Sequence, residues 1–337
     1  MSASITSGNP ADWPIWGHDY VVRDLVAAAI RGPRHAYIFA GFEHLGKRTA
    51  AITFAQALMC SAPPSPGVPC RSCRNCARIA RGTHPDVSEW NLQRQQAAAE
   101  KASTSKNLSL NIATVRDISA SLAMRPFEST YRVIIVDDVE TMQETAQEAF
   151  LKTLEEPPPY AVILLLTTDA EILLETIRSR AATVQFQPVQ EFIIASGLEA
   201  RGIESALAHE ISQMSEGRPG WAILASQNPP MLDDRRLRTE EARRWIEADR
   251  YNQLIEATKL GEAFSKDRES VFVRLSALQH AWRHDLTSGL EAADLDRVTT
   301  AVQALKSIEM CFSDLDANVR PKLALQTMVL QWQSSQQ

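Results

Sequence analysis

Long apolar stretches are the first thing this sequence lacks. Its apolar runs, such as residues 161–166, end after a few residues, whereas a membrane-crossing helix needs about 20. No membrane-spanning helix and no membrane partner are expected. The opening stretch MSASITSGNPADW has neither a basic lead nor an apolar core, so no secretory signal is read there and a cytoplasmic location is expected. Positive charge is also short: 35 Lys and Arg face 41 Asp and Glu, a net charge of −6. A chain whose main task is gripping nucleic acid by itself would usually carry a basic stripe. The balance here leaves room for a few such contacts inside a larger assembly. Cysteine is scarce, five in 337 residues, and a reducing compartment argues against disulfides. A repeat of solenoid-like period is absent as well. The remaining composition, 45% apolar and 23% charged, is that of an ordinary globular chain, and its length favours two or three domains.

What is present is an alternation of strands and helices. Val21, Leu25, Ala28 and Ala29 recur at helical spacing, and AYIFA at 36–40 reads as a short buried strand. A glycine loop and a helix over 48–59 follow. The runs VIIV at 133–136 and VILLL at 162–166 read as buried parallel strands. Between them a helix is expected over 141–155. Thr141 and Glu144 suggest a capping box at its start, and Pro157–Pro159 end it. A further helix over 169–180 and a last strand over 183–186 complete a doubly wound α/β domain, a parallel sheet flanked by helices, over 1–187. Residues 94–106, RQQAAAEKASTSK, are polar and low in complexity, and read as a solvent loop. After Pro188 strand signals stop. A small helical domain over 188–234 and an all-α domain over 235–337 are expected, with breaks at 217–220 and 228–234.

The loop that opens at Gly41 reads GFEHLGKRT. The phosphate-binding pattern G-x-x-x-x-G-K-[ST] uses glycines to bring backbone N–H groups to phosphates, lysine for the β/γ-phosphates and a hydroxyl for Mg²⁺. Gly41, Gly46 and Lys47 fit, but Arg48 stands at the hydroxyl position and cannot ligate a cation. The hydroxyl of Thr49 arrives one residue late, about 100° further round a helix. A working site also needs an Asp that organises Mg²⁺ and an acid that activates water. Here the pair is Asp137-Asp138, which reads either as that pair with the second carboxylate set back by one methylene, or as solvated residues at a strand end. The candidate nucleotide residues are thus Gly41, Gly46, Lys47, Thr49 and Asp137, with ATP or ADP as the ligand and hydrolysis expected to be poor.

Four of the five cysteines, Cys60, Cys70, Cys73 and Cys76, give C-x9-C-x2-C-x2-C. Two residues between cysteines let both thiolates face one tetrahedral ion, and the APPSPG turn leaves room to bring the fourth back. Structural Zn²⁺ is expected, with an iron–sulfur cluster as the alternative.

With these residues on the page, the chain resembles the delta-prime subunits of the bacterial DNA polymerase III clamp loader, members of the AAA+ superfamily. The resemblance rests on LKTLEEPP at 151–158, TIRSR at 176–180, the four-cysteine insertion, THPD at 83–86 and NVRPKLAL at 318–325. It implies an AAA+ P-loop domain with a zinc insertion, then a helical lid and a C-terminal oligomerisation collar. It further implies a stator-like, non-motor subunit that works with gamma/tau and delta to open a sliding clamp and load it on primed DNA. In the family's Ser-Arg-Cys element the arginine enters a neighbour's ATP site. Ser179 and Arg180 match it, and Ala181 replaces the cysteine. Such an arginine supplied in trans is worth about 10³–10⁵ in rate; without the resemblance, Arg180 would read as a solvated residue at a helix end. Active relatives carry a lid arginine where this chain has Gly220. Two other readings stay open: an active AAA+ motor of the same machine, and a zinc-module nucleic-acid binder on a P-loop fold.

Overall fold

The computed structural model describes residues 13–101 and 109–332. They divide into two compact units, one ending at Ser226 and the other starting at Gln227.

Five strands form the sheet of the first unit: β1 Ala36–Ala40, β2 Val87–Trp90, β3 Arg132–Val136, β4 Ala161–Thr167 and β5 Ala182–Gln185. Their order is β2-β3-β4-β1-β5 and every pairing is parallel. Parallel strands need crossover helices, so both faces are covered and the central strands β1, β3 and β4 are apolar on both sides. One face sets Tyr37, Phe39, Ile135 and Leu164 against α1 Asp19–Arg31 and α2 Lys47–Met59, through Leu25, Val26, Ala51 and Phe54. α3 Arg74–Ala80 packs beside α2. The other face sets Ile38, Ile134 and Leu165 against α5 Ile112–Ala123 and α6 Glu144–Glu155, through Val115, Ile118, Phe150 and Leu154. α4 Leu92–Lys101 follows β2, and the four-residue α7 Glu175–Arg178 precedes β5.

Local structure departs from the sequence expectations in four places. Residues 94–101 are helical, not loop; Ala, Gln, Glu and Lys are good helix formers, and residues 102–106 lie outside the described residues. The helix expected from Thr141 begins at Glu144 with Gln143 as its N-cap. A 3₁₀ turn over Val139–Thr141 comes first and takes the Thr141 hydroxyl to the carbonyl of Asp138 at 2.7 Å, so no capping box forms. The helix expected over 169–180 is a 3₁₀ turn, Ala170–Ile172, then α7. The break expected over 228–234 is confined to Asn228, because α11 Pro229–Glu247 starts directly after it.

Three helices, α8 Glu191–Glu199, α9 Ser205–Met214 and α10 Pro219–Gln227, follow the sheet. The second unit continues from α11 with α12 Arg250–Ala263, α13 Arg268–Glu291, α14 Leu295–Asp316 and α15 Pro321–Leu330. Its core joins Leu260, Leu275, Leu278, Ile308 and Leu325 to Trp245, Trp282 and Trp332. No helix among the described residues is long and apolar enough to cross a membrane.

Candidate functional site

The glycine loop leaves β1 at its C-terminal end and enters α2 at Lys47. Gly41 has φ +146°, and a Cβ there would sit 2.4 Å from the carbonyl oxygen of Phe186, so no other residue fits. Gly46, the N-cap of α2, is left-handed at φ +95°. Lys47 is buried, and its ammonium donates to the carbonyls of Gly41 and, at 2.8 Å, Phe42. Burial pulls the Lys47 pKa down, against the opposing pull of Asp137, Glu140 and Glu43. Its three donors are thus largely spent on the loop itself, where a phosphate would sit. Thr49 is exposed.

Arg48 leaves this site altogether. Its guanidinium forms a two-pronged pair with Glu89 of β2, Nε to Oε1 and Nη2 to Oε2, the latter at 2.7 Å. The Glu89 hydrogen bond raises the Arg48 pKa further. With the Arg48 side chain 58% exposed, the pair adds little stability, but it fixes the direction of the side chain. Asp137 stays beside Lys47, and burial pushes its carboxyl up to about 6 despite the hydrogen bond from the Asp138 N–H. Asp138 sits left-handed at φ +58°, and its carboxylate accepts the Leu92 N–H at 3.3 Å. It anchors the start of α4 instead of facing a water at the loop. The structure therefore brings together Gly41, Gly46, Lys47 and Asp137, and leaves Thr49 at the surface.

Gly220 closes the remaining side. Its N–H donates to the His44 carbonyl at 2.8 Å, and a Cβ on it would lie 2.9 Å from that same oxygen. The backbone of α10 thus rests on the glycine loop with no space for a side chain. Arg218 is half-buried and paired with Glu216 at 2.8 Å.

Arg180 stands at the opposite edge of the sheet. β1 and β5 run parallel with Tyr37 level with Ala182. Arg180 therefore enters the sheet near the level of His35, while Gly41 leaves the far edge, about 20 Å away at the usual strand rise. Its Nη1 donates to the Thr176 carbonyl at 2.8 Å and the Ser179 hydroxyl at 3.1 Å, and its Nη2 pairs with Glu155 at 2.9 Å. A guanidinium has five N–H donors; among the described residues these three contacts leave two without a partner. Arg180 shares a surface cleft with Arg34, His35, Glu155 and Ser179.

The four cysteines meet at one point, their sulfurs all within 4.8 Å of one another. Tetrahedral sulfurs at about 2.3 Å from an ion would stand about 3.8 Å apart, so the set fits a metal. Cys60 caps the end of α2 and Cys73 the start of α3. Backbone N–H groups of Cys70, Cys73 and Cys76 point at the sulfurs of Cys60, Cys70 and Cys73, at 3.2–3.5 Å. Such donors stabilise thiolates: burial opposes ionisation of Cys73, yet the Cys76 N–H and Ser61 bring it to about 5. The expected turn is there too, with Ser65 bridging to Val68. Cys311, by contrast, is buried among apolar residues of the second unit.

Sequence reasoning did not find the role of Asp86. Its carboxylate accepts the N–H groups of Phe127, Glu128 and Ser129 at 2.6, 2.9 and 3.0 Å. These outweigh burial and keep its pKa below the usual carboxylate value. The signal was in the sequence as part of THPD, but its partners lie some forty residues away.

A family model described as DNA polymerase III, delta subunit matches residues 18–190. The chain is 29% identical over 201 residues to the DNA polymerase III subunit delta' of Bacillus subtilis, which covers 60% of this chain and 56% of that one. Against subunit tau of the same organism it is 32% identical over 174 residues, covering 51% and 28%. Against subunit tau of Escherichia coli it is 30% identical over 195 residues, covering 58% and 28%. The chain thus spans about half the length of the first relative and less than a third of the other two. A solved gamma subunit-related protein of Thermotoga maritima, 20% identical, overlaps at a TM-score of 0.40 and covers 92% of this chain and 97% of that one.

Proposed function

The chain belongs to the family described as DNA polymerase III, delta subunit, and from that premise we propose that it is a stator-like, non-motor subunit of the clamp loader. In this reading it assembles with gamma/tau and delta subunits in the cytoplasm, helps ATP-driven opening of a sliding clamp and its loading on primed DNA, and lends Arg180 to the ATP site of a neighbour. The observation that carries the reading is the placement of Arg180. It lies a sheet's length from the chain's own glycine loop, which supports a role at a phosphate held by another subunit. The loop itself supports the non-motor half: Arg48 is paired with Glu89, Asp138 holds Leu92, and Gly220 packs on His44.

Within this reading the helices after Pro188 in the first unit are the lid, and the second unit is the collar that holds the oligomer. ATP or ADP remains a ligand of the degenerate site through Gly41, Gly46, Lys47 and Asp137. An active motor is the second reading, favoured by the electrostatic influence of Asp137 on Lys47 and by the likeness to tau. The decisive experiment is Arg180→Ala in the reconstituted complex. Turnover at the facing site should fall by about 10³-fold or more with assembly intact; an unchanged rate removes the finger.

Zinc is the metal this reading places on Cys60, Cys70, Cys73 and Cys76. Four soft sulfurs with no histidine make a closed shell, which leaves no place for a reactive water and gives the metal a structural task. Metal analysis should return about one zinc per chain. Iron in its place, or neither metal, would refute the assignment.

A further inference from the structure

We propose that Arg34 is a second phosphate-contacting residue in the Arg180 cleft, drawing in the triphosphate of a nucleotide carried by the neighbouring subunit. The inference rests on the trans reading of Arg180 and adds a residue to it that no sequence motif marks.

Three observations carry it. The charge of Arg180 is already balanced inside the chain by Glu155 at 2.9 Å. The net positive charge of the cleft is therefore that of Arg34, whose guanidinium, among the described residues, has no hydrogen bond or ion pair of its own. Second, the Arg34 backbone is pinned while its side chain is left free. Its N–H donates to the buried Tyr37 hydroxyl at 2.8 Å, and the residue itself is exposed. Third, continuing the β1–β5 register places Arg34 across from Ser179, beside the residue that carries the finger. His35 adds a buried Nε2 that has no hydrogen-bond partner among the described residues, in the same cleft.

These features divide the work between two arginines. Arg180 is held by three contacts with two donors left over, a fixed fork suited to charge that develops during phosphoryl transfer. Arg34 is unrestrained and unbalanced, suited to attracting a polyanion before reaction. An interaction made equally with bound substrate and transition state lowers KM without raising kcat. Arg34 should therefore act on KM, and Arg180 on kcat.

The test is steady-state ATPase of the reconstituted complex against ATP concentration, at low and high salt, with Arg34→Ala, Arg34→Lys and Arg180→Ala. Arg34 is exposed, so its variants should fold and assemble. Arg34→Ala should raise KM for ATP about tenfold at low salt with kcat little changed, the size expected of one charge at a partly screened interface. The effect should shrink at high salt, and Arg34→Lys should recover most of it. An unchanged KM for Arg34→Ala while Arg180→Ala lowers kcat would overturn the inference and leave the finger standing. Unchanged constants in both variants would overturn the two together. A rise in KM with Arg34→Ala but no effect of Arg180→Ala would keep the phosphate contact and remove the finger.

Discussion

The two edges of the sheet treat charge in opposite ways. At the C-terminal edge three ionic groups are tied up within the chain: Lys47 on loop carbonyls, Arg48 on Glu89, Asp138 on the start of α4. At the N-terminal edge, among the described residues, Arg180 keeps two guanidinium donors unspent and Arg34 keeps all of its own. A site that does chemistry has to leave hydrogen-bonding capacity for its substrate, and on the proposed reading the second edge leaves more of it. On the proposed reading, the working surface of this chain lies away from its most recognisable motif.

The largest effect that sharpens this contrast is the loss of about 10³-fold in neighbour turnover from Arg180→Ala, which the closed edge cannot produce. Next comes an attempt to reopen that edge. Gly220→Arg restores the residue type of active relatives, but its Cβ would press on the His44 carbonyl at 2.9 Å. Thermal or denaturant unfolding should show a loss of about 3 kcal/mol, from overpacking and the lost backbone hydrogen bond, with no ATPase gained. A gain in hydrolysis by the chain would break the comparison.

The smallest effect concerns Asp137. Its pKa is raised in the folded chain, to about 6, so between about pH 4 and 6 the folded state binds more protons than the unfolded one. Stability must then fall as pH rises through that window. Asp137→Asn should remove this part of the slope and stabilise the chain at pH 7 by about 3 kcal/mol. No change on substitution would mean that the carboxylate is well solvated or satisfied by a partner.

How far the sequence discloses this depends on distance along the chain. β5, ATVQ, alternates half-buried and exposed positions at a sheet edge, and the buried strands β1, β3 and β4 announce themselves as compact apolar runs. β2 does not: VSEW is four residues long at a sheet edge and only partly buried, so no apolar run marks it. α4 was hidden by composition, since a polar, repetitive stretch reads as a loop until its first turn is tied down by Asp138 and Asn91. The cysteine set was legible because metal spacing is local. The partners that redirect the nucleotide site were not: Arg48 and Glu89 are 41 positions apart, and Leu92 and Asp138 are 46 apart. Arg180 was found by its motif, yet its isolation from the chain's own loop follows only from the register of β1 and β5.

The most direct test of the central claim is ATP turnover by the purified chain alone, compared with the complex that contains it. A chain whose own loop is idle should hydrolyse ATP at least about a hundredfold more slowly than the low end of ordinary enzyme turnover, about 1 s⁻¹, while the complex exceeds that rate. Turnover by the isolated chain at about 1 s⁻¹ or faster would contradict the account.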